Sequence, residues 1–129
     1  MPNWKKVIVS GSDAILNDIT ASGDIITNTI STISTTIASD SATNVDTFST
    51  ASYTGAIYDY VLIDATVGTR AGQFMVSQDS SLVTYTDTST KHTSDPVIPE
   101  ISAQISGGNV AIRVTNGNGY TFKSFVKKL

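Results

Sequence analysis

The sequence predicts a mainly β protein. N-terminal short strands and a short stalk, readable as a coiled coil, are followed by a C-terminal β-sandwich or jelly-roll-like domain. Three observations carry that expectation. Ser and Thr make up more than a quarter of the 129 residues, and Val, Ile, Tyr and Phe are prominent among the apolar types; such residues favour strands over helices. From Asn44 onward, short apolar runs alternate with turn signals. Before that point the texture differs, with apolar segments too short to bury themselves.

The first zone is MPNWKKVIVSGSDAILNDITASG, Met1 to Gly23. Val7 and Val9 would share one strand face, ended by Ser10-Gly11. Ile15 to Ala21 is a second short apolar segment. Trp4, Val7, Val9, Ile15, Leu16 and Ile19 are the candidate attachment residues of this arm. Lys5 and Lys6 are followed by no long apolar region, so the start does not read as a secretory signal.

The second zone, IITNTISTISTTIAS, holds isoleucines at a heptad-like spacing: Ile26, Ile30, Ile33 and Ile37. On a helix they form one narrow stripe. From Ile26, a strand would instead place Ile30 on one face and Ile33 and Ile37 on the other. Composition favours strand, because β-branched residues lose side-chain freedom in helices. Periodicity is taken as the stronger signal, so the leading expectation is a helical stalk over residues 25–43. A Ser/Thr-rich linker or a pair of edge strands is the alternative. A helix this short is not stable alone, and isoleucine at both core positions favours three or four chains over two. Ile26, Ile30, Ile33 and Ile37 are therefore the candidate oligomerisation residues.

The third zone, residues 44–129, supplies about seven strands at the spacing of an all-β sandwich. Val45 to Thr50, Gly55 to Ala65, Arg70 to Gln78, Leu82 to Thr88, Glu100 to Ser106, Asn109 to Thr115 and Tyr120 to Val126 are the expected strands. Ser106-Gly107-Gly108-Asn109 suits a tight hairpin, and Asn116-Gly117-Asn118-Gly119 suits another. Val110, Ile112 and Val114 should face the core. Lys91 to Pro99 carries two prolines and reads as a surface loop.

Composition narrows the chemistry. The net charge is −3, with no basic stripe, which argues against nucleic-acid binding and membrane-surface attraction. No apolar run reaches the length of a membrane span, so no membrane insertion is expected. With no Cys, disulfides and thiolate metal sites are excluded. The single His, His92, sits in a polar loop, and the single Glu is Glu100. Asp59 and Asp64 lie at odd separation on one strand and would point to opposite faces. No nucleophile elbow or phosphate-cradling glycine pattern occurs. No catalytic, cofactor-binding or metal residues are assigned; the expectation is a non-enzyme without cofactors.

Aromatic residues are the remaining feature. Tyr beside Asp and Asn is common on sugar-binding and protein-binding surfaces, which makes Tyr53, Tyr58, Tyr60 and Tyr120 candidate surface-recognition residues. The competing reading is that these tyrosines fill the sandwich core with their hydroxyls at its rim. It is favoured, because only four Phe and one Trp are otherwise at hand for that core.

The opening WKKVIVSGSDAILNDITASGDI resembles the start of virion structural proteins from tailed phages of marine cyanobacteria. The part from YDYVLIDATVGTRAGQFMVSQDSSLVTYTDTST to SGGNVAIRVTNGNGYTFKSFVKKL resembles a β-rich terminal domain of phage and marine viral proteins. An Arg-Ala-Gly strand, a Ser/Thr-rich strand end and a Gly-Gly-Asn hairpin carry the likeness. It implies a protein of the virion surface, made in a host cytoplasm. An attachment arm (1–24), a trimerising stalk (25–43) and a β-sandwich domain (44–129) then form a homotrimeric short fibre or spike. Its implied partners are other virion proteins and a host surface glycan or receptor. The long glycine-rich shaft repeats of large fibres are absent, and a capsid decoration protein is the alternative.

Overall fold

The computed structural model describes residues 30–90 and 99–129. Eight strands form: β1 (Ile30–Thr36), β2 (Thr43–Ser49), β3 (Gly55–Asp64), β4 (Gly68–Gln78), β5 (Val83–Ser89), β6 (Glu100–Ser106), β7 (Asn109–Thr115) and β8 (Thr121–Lys128). Among the described residues there is no helix. The strands make a five-stranded sheet, β1-β8-β3-β4-β5, and a three-stranded sheet, β2-β7-β6, all antiparallel. This is a two-layer β-sandwich.

Each layer follows from alternation. Ala56, Tyr58, Tyr60 and Leu62 of β3 point inward, with Phe74 and Val76 of β4 and Phe122 and Val126 of β8 beside them. Val110, Ile112 and Val114 face them from β7 and are fully buried, as the alternation predicts. Burying one large apolar side chain contributes about 1.5–3 kcal/mol, so the pairing of these two faces dominates the fold. In β2, Val45 and Phe48 are both buried although three positions apart. A register shift between Asn44 and Asp46 leaves Val45 as the extra residue opposite β7. Such a bulge restores both side chains to one face.

Turns follow their residues. Gly107 and Gly108 both take positive φ, 58° and 76°, in the two-residue β6–β7 hairpin; that left-handed pair suits glycine. Asp64 closes the β3–β4 turn by accepting from the Thr66 and Val67 backbone N–H groups at 2.7 and 2.9 Å. Asp79 does the same before β5, accepting from Leu82 at 2.8 Å and Ser81 at 3.0 Å. The Leu82 bond, followed by those from Ser81, holds this carboxyl below its ordinary range.

Two expectations are corrected. Residues 30–36 are not a helical stalk: β1 is an edge strand, paired antiparallel with β8 from Ile30↔Lys127 to Thr36↔Thr121. Ile33 packs against the core and Ile37 is fully buried in it. Separated by an even number of positions, these two project from the same side of extended chain, and the protomer's own sandwich covers them. The 25–43 segment, where described, is thus part of the sandwich, not a separate element. Second, Asn116–Gly119 is not a hairpin. β7 and β8 lie in different sheets, so this turn carries the chain between layers. Asn116 N–H donates to the Asp40 carbonyl (2.9 Å) and Gly119 N–H to the Ile37 carbonyl (2.9 Å), tying the crossover to the β1–β2 connection.

Candidate functional site

The tyrosines organise the interior. Tyr58, Tyr60 and Tyr120 are 0, 3 and 3% exposed, which puts them in the core and off the surface where a ligand could reach the rings. Tyr53 is half-buried, edge-on to Phe48 with ring centroids 6.2 Å apart. The inward positions of β3 explain this placement: a Tyr there buries its ring and must find an acceptor for its hydroxyl.

Tyr58 and Tyr60 reach acceptors on opposite sides of the sandwich. The Tyr58 hydroxyl donates to Asp46 Oδ2 on β2 at 2.8 Å, bridging the sheets. Lys128 Nζ lies 3.4 Å from the same oxygen. The Tyr60 hydroxyl donates to Asp87 Oδ1 on β5 at 2.8 Å. It crosses β4 at Gly72, the residue paired with both Tyr60 and Ser89. Arg70 Nη2 is 3.7 Å from Asp87 Oδ2, and the guanidinium carbon is 5.8 Å from the Tyr60 ring centroid. Burial, above all, raises both tyrosine pKa values; Tyr60 is pushed up to about 12, with the Asp87 hydrogen bond second. For Tyr58 the Asp46 charge and hydrogen bond add to burial in the same direction.

Two surface features surround this framework. The outer face of the five-stranded sheet holds an open concavity of about 780 Å³ over β1, β8, β3 and β4. Thr32, Ser34, Asp59, Val61, Lys123 and Phe125 line it, and Phe125 is 53% exposed. Asp59 lies on this face, where it accepts from Gln73 Nε2 at 2.9 Å, while Asp64 is at the turn. The second feature is a pocket of about 420 Å³ between β5 and β6, lined by Arg70, Tyr85, Asp87, Pro99, Glu100 and Ile101. Tyr85 is the exposed tyrosine of the described chain, at 45%, resting on Phe74 with centroids 5.4 Å apart. Its alternation within LVTYTDT shows which residues share its face, but not that the ring stays exposed beside β6.

Of the sequence-derived oligomerisation residues, Ile33 and Ile37 are brought together in the core, Ile30 begins β1, and Ile26 lies outside the described residues. The attachment residues Trp4, Val7, Val9, Ile15, Leu16 and Ile19 also lie outside them, as does His92. Among the described residues, no group of three or more His, Cys, Asp or Glu side chains is placed to hold a metal ion. No described helix is long and apolar enough to cross a membrane.

Fold and site together define an antiparallel two-sheet β-sandwich with an open outer sheet face. No protein-family model matches the chain, and no curated protein matches it in sequence. The crystal structure of the tailspike protein of Acinetobacter phage vB_ApiP_P1 superposes with a TM-score of 0.48 at 11% identity, over 92% of this chain and 26% of that one. The chain thus spans about a quarter of that tailspike. A likeness this distant carries no conclusion about activity, ligand or assembly.

Proposed function

We propose that the chain is a non-enzymatic structural protein of a phage particle, displayed on the virion surface as a homotrimeric short fibre or spike head that contacts the host. The resemblance of both ends of the sequence to phage virion proteins motivates the reading. The observation that carries it is the outer face of the five-stranded sheet: Phe125 is 53% exposed and Met75 40%, beside an open concavity. Exposed apolar residues grouped on one face mark a contact surface more often than isolated ones do. In this reading residues 1–24 attach the head to the particle. Because Ile33 and Ile37 are committed to the protomer's own core, self-association draws on surfaces outside that seam.

A capsid decoration protein is the second reading. The incorporation of β1 into the sandwich favours it, since residues 30–36 do not hold the head away from its anchor. Adsorption of labelled protein to host cells, compared for wild type and Phe125→Asp, tests the host-contacting reading. It expects wild-type adsorption that is lost in the variant. If neither adsorbs, and deleting residues 1–24 abolishes incorporation into particles that are then less stable, decoration replaces it. A monomeric mass by light scattering overturns the homotrimer.

A further inference from the structure

The two sheets end in four edge strands that are chemically unlike one another. Inward-facing Asp87 marks β5, a bulge at Asn44/Asp46 interrupts β2, and β6 starts on Glu100 directly after Pro99. Charges, bulges and prolines are the devices that keep an edge from pairing with another chain. β1, ISTISTT, carries none of them, and its register with β8 runs without a shift. Ile37 N–H donates to the Tyr120 carbonyl at 2.8 Å, in phase with that ladder. Alternate residues of an antiparallel strand bond to one neighbour, so Thr35, Ile33 and Ser31 also turn their backbone groups to β8. The N–H and C=O groups of Thr32, Ser34 and Thr36 point the other way, to an edge that no strand pairs among the described residues. Ile33 packs against the core but is only half-buried at this edge.

We infer that the free edge of β1 pairs antiparallel, about a two-fold axis, with β1 of a second copy of this chain. Centred on Ile33, the pairing overlaps the whole strand. It sets Thr32 opposite Ser34 of the second copy, so the backbone groups that point away from β8 bond to one another. Ile33 meets its own equivalent in a pair without mutual hydrogen bonds, where Cα atoms come to about 4.5 Å, and the half-buried side chain is covered. Charge allows the contact. β1 brings no charged residue to it, and the exposed Lys123 and Lys127 lie on β8. The β8 strands of the two copies stand three strand spacings apart, about 14 Å, beyond the roughly 8 Å over which exposed charges act at physiological salt. The inference goes beyond the proposed function and does not rest on it. The outer sheet faces stay open in the pair, and a two-fold contact joins single heads as readily as trimers.

The test is the mass of the full chain by analytical ultracentrifugation. An even number of copies is expected: a dimer, or a hexamer where the homotrimer also forms. Thr32 and Ser34 are exposed, so Thr32→Lys/Ser34→Lys should keep the circular dichroism of the fold. It sets like charges opposite one another across the axis and should halve the mass. Mixing that variant with Thr32→Glu/Ser34→Glu should restore the full mass as a mixed pair, which a general loss of folding does not allow. A monomeric or trimeric wild type overturns the inference, as does an even-numbered mass that the lysine variant keeps or that mixing fails to restore. Hydrogen exchange identifies a different occupant. Protected amides at Thr32, Ser34 and Thr36 in a monomer mean that another part of the same chain fills the edge, and the inference falls. A trimer leaves the homotrimer standing while this inference fails, and a dimer does the reverse.

Discussion

Tyr58 and Tyr60 sit two residues apart on one strand face, yet the two sides of the sandwich that receive their hydroxyls differ. On the β2–β8 side, Asp46 joins Tyr58 to Lys128, and both charged side chains are less than a fifth exposed. Nearby, Ile37 is sealed beneath the crossover from β7 to β8. On the β5 side, Asp87 joins Tyr60 to Arg70 beside an open pocket between β5 and β6. Tyr85 and Asp87 of β5 share its inward face and line that pocket. The same local device, a core tyrosine tied to a paired carboxylate, thus gives a closed rim in one place and a polar pocket in the other.

The largest expected effect tests the closed side. Deleting residues 1–43 removes β1 with Ile33 and Ile37. Loss of a buried isoleucine alone costs about 2–5 kcal/mol, and the deletion also strips β8 of its partner strand. The fragment should unfold at far lower urea or fail to fold. A wild-type midpoint would show that the closed side contributes little.

Next comes removal of each carboxylate. Asp87→Ala leaves the buried Arg70 without its counter-ion and the Tyr60 hydroxyl without its acceptor; because Asp87 stands at an open pocket, the cost should be about 3 kcal/mol, the low end for a broken buried pair. Asp46→Ala should cost less, about 1–3 kcal/mol, because Lys128 lies one residue from Leu129 at the sandwich edge and its ammonium can turn to water. Urea denaturation of the two variants reads the difference directly; equal losses would mean that the two rims are energetically alike.

Gly72→Ala probes the strand that the Tyr60 hydroxyl crosses. A Cβ there would lie 2.5 Å from the Thr88 carbonyl oxygen and 2.6 Å from Ser89 Cβ. Backbone cannot yield as a flexible side chain does, so β4 and β5 must separate locally, at about 1–3 kcal/mol. The amides of β5 should then exchange faster with solvent than those of β1.

The smallest effect is at alkaline pH. The Tyr60 pKa is raised above its unfolded value, so the stability linked to its neutral form is complete below about pH 10. It is lost as pH rises towards the folded value of about 12. Tyr60→Phe should remove part of that alkaline decline and cost about 1 kcal/mol near neutrality. Tyr58 ionises last, its pKa raised further by burial and by Asp46. Ultraviolet difference spectra at rising pH should show the Tyr58 signal only as the fold is lost. Early ionisation of Tyr58 would remove the distinction between the rims.

Much of this architecture is legible from local pattern. Strand alternation places Val110, Ile112 and Val114 inside, and Gly107-Gly108 marks the β6–β7 hairpin, because both depend on neighbours in sequence. The isoleucine segment misleads for a physical reason. Ile33 and Ile37 are separated by an even number, which suits one strand face as well as a helical stripe, and only pairing with β8 chooses between them. Tyr85 reads like any alternating strand residue, since its exposure depends on how a different sheet packs against β5.

Composition and alternation by themselves determined that this chain is β-rich, where most of its strands run, and which faces are apolar. Those properties rest on side-chain shape and on the two-residue repeat of extended chain. Only the tertiary structure decided that β1 closes the larger sheet, that Asn116–Gly119 crosses between layers, and that Asp46 and Asp87 receive the tyrosine hydroxyls. It also decided that Arg70 borders a pocket. Each of these depends on which distant strands become neighbours, and that choice is made by burying the whole apolar surface at once rather than by any short stretch of chain.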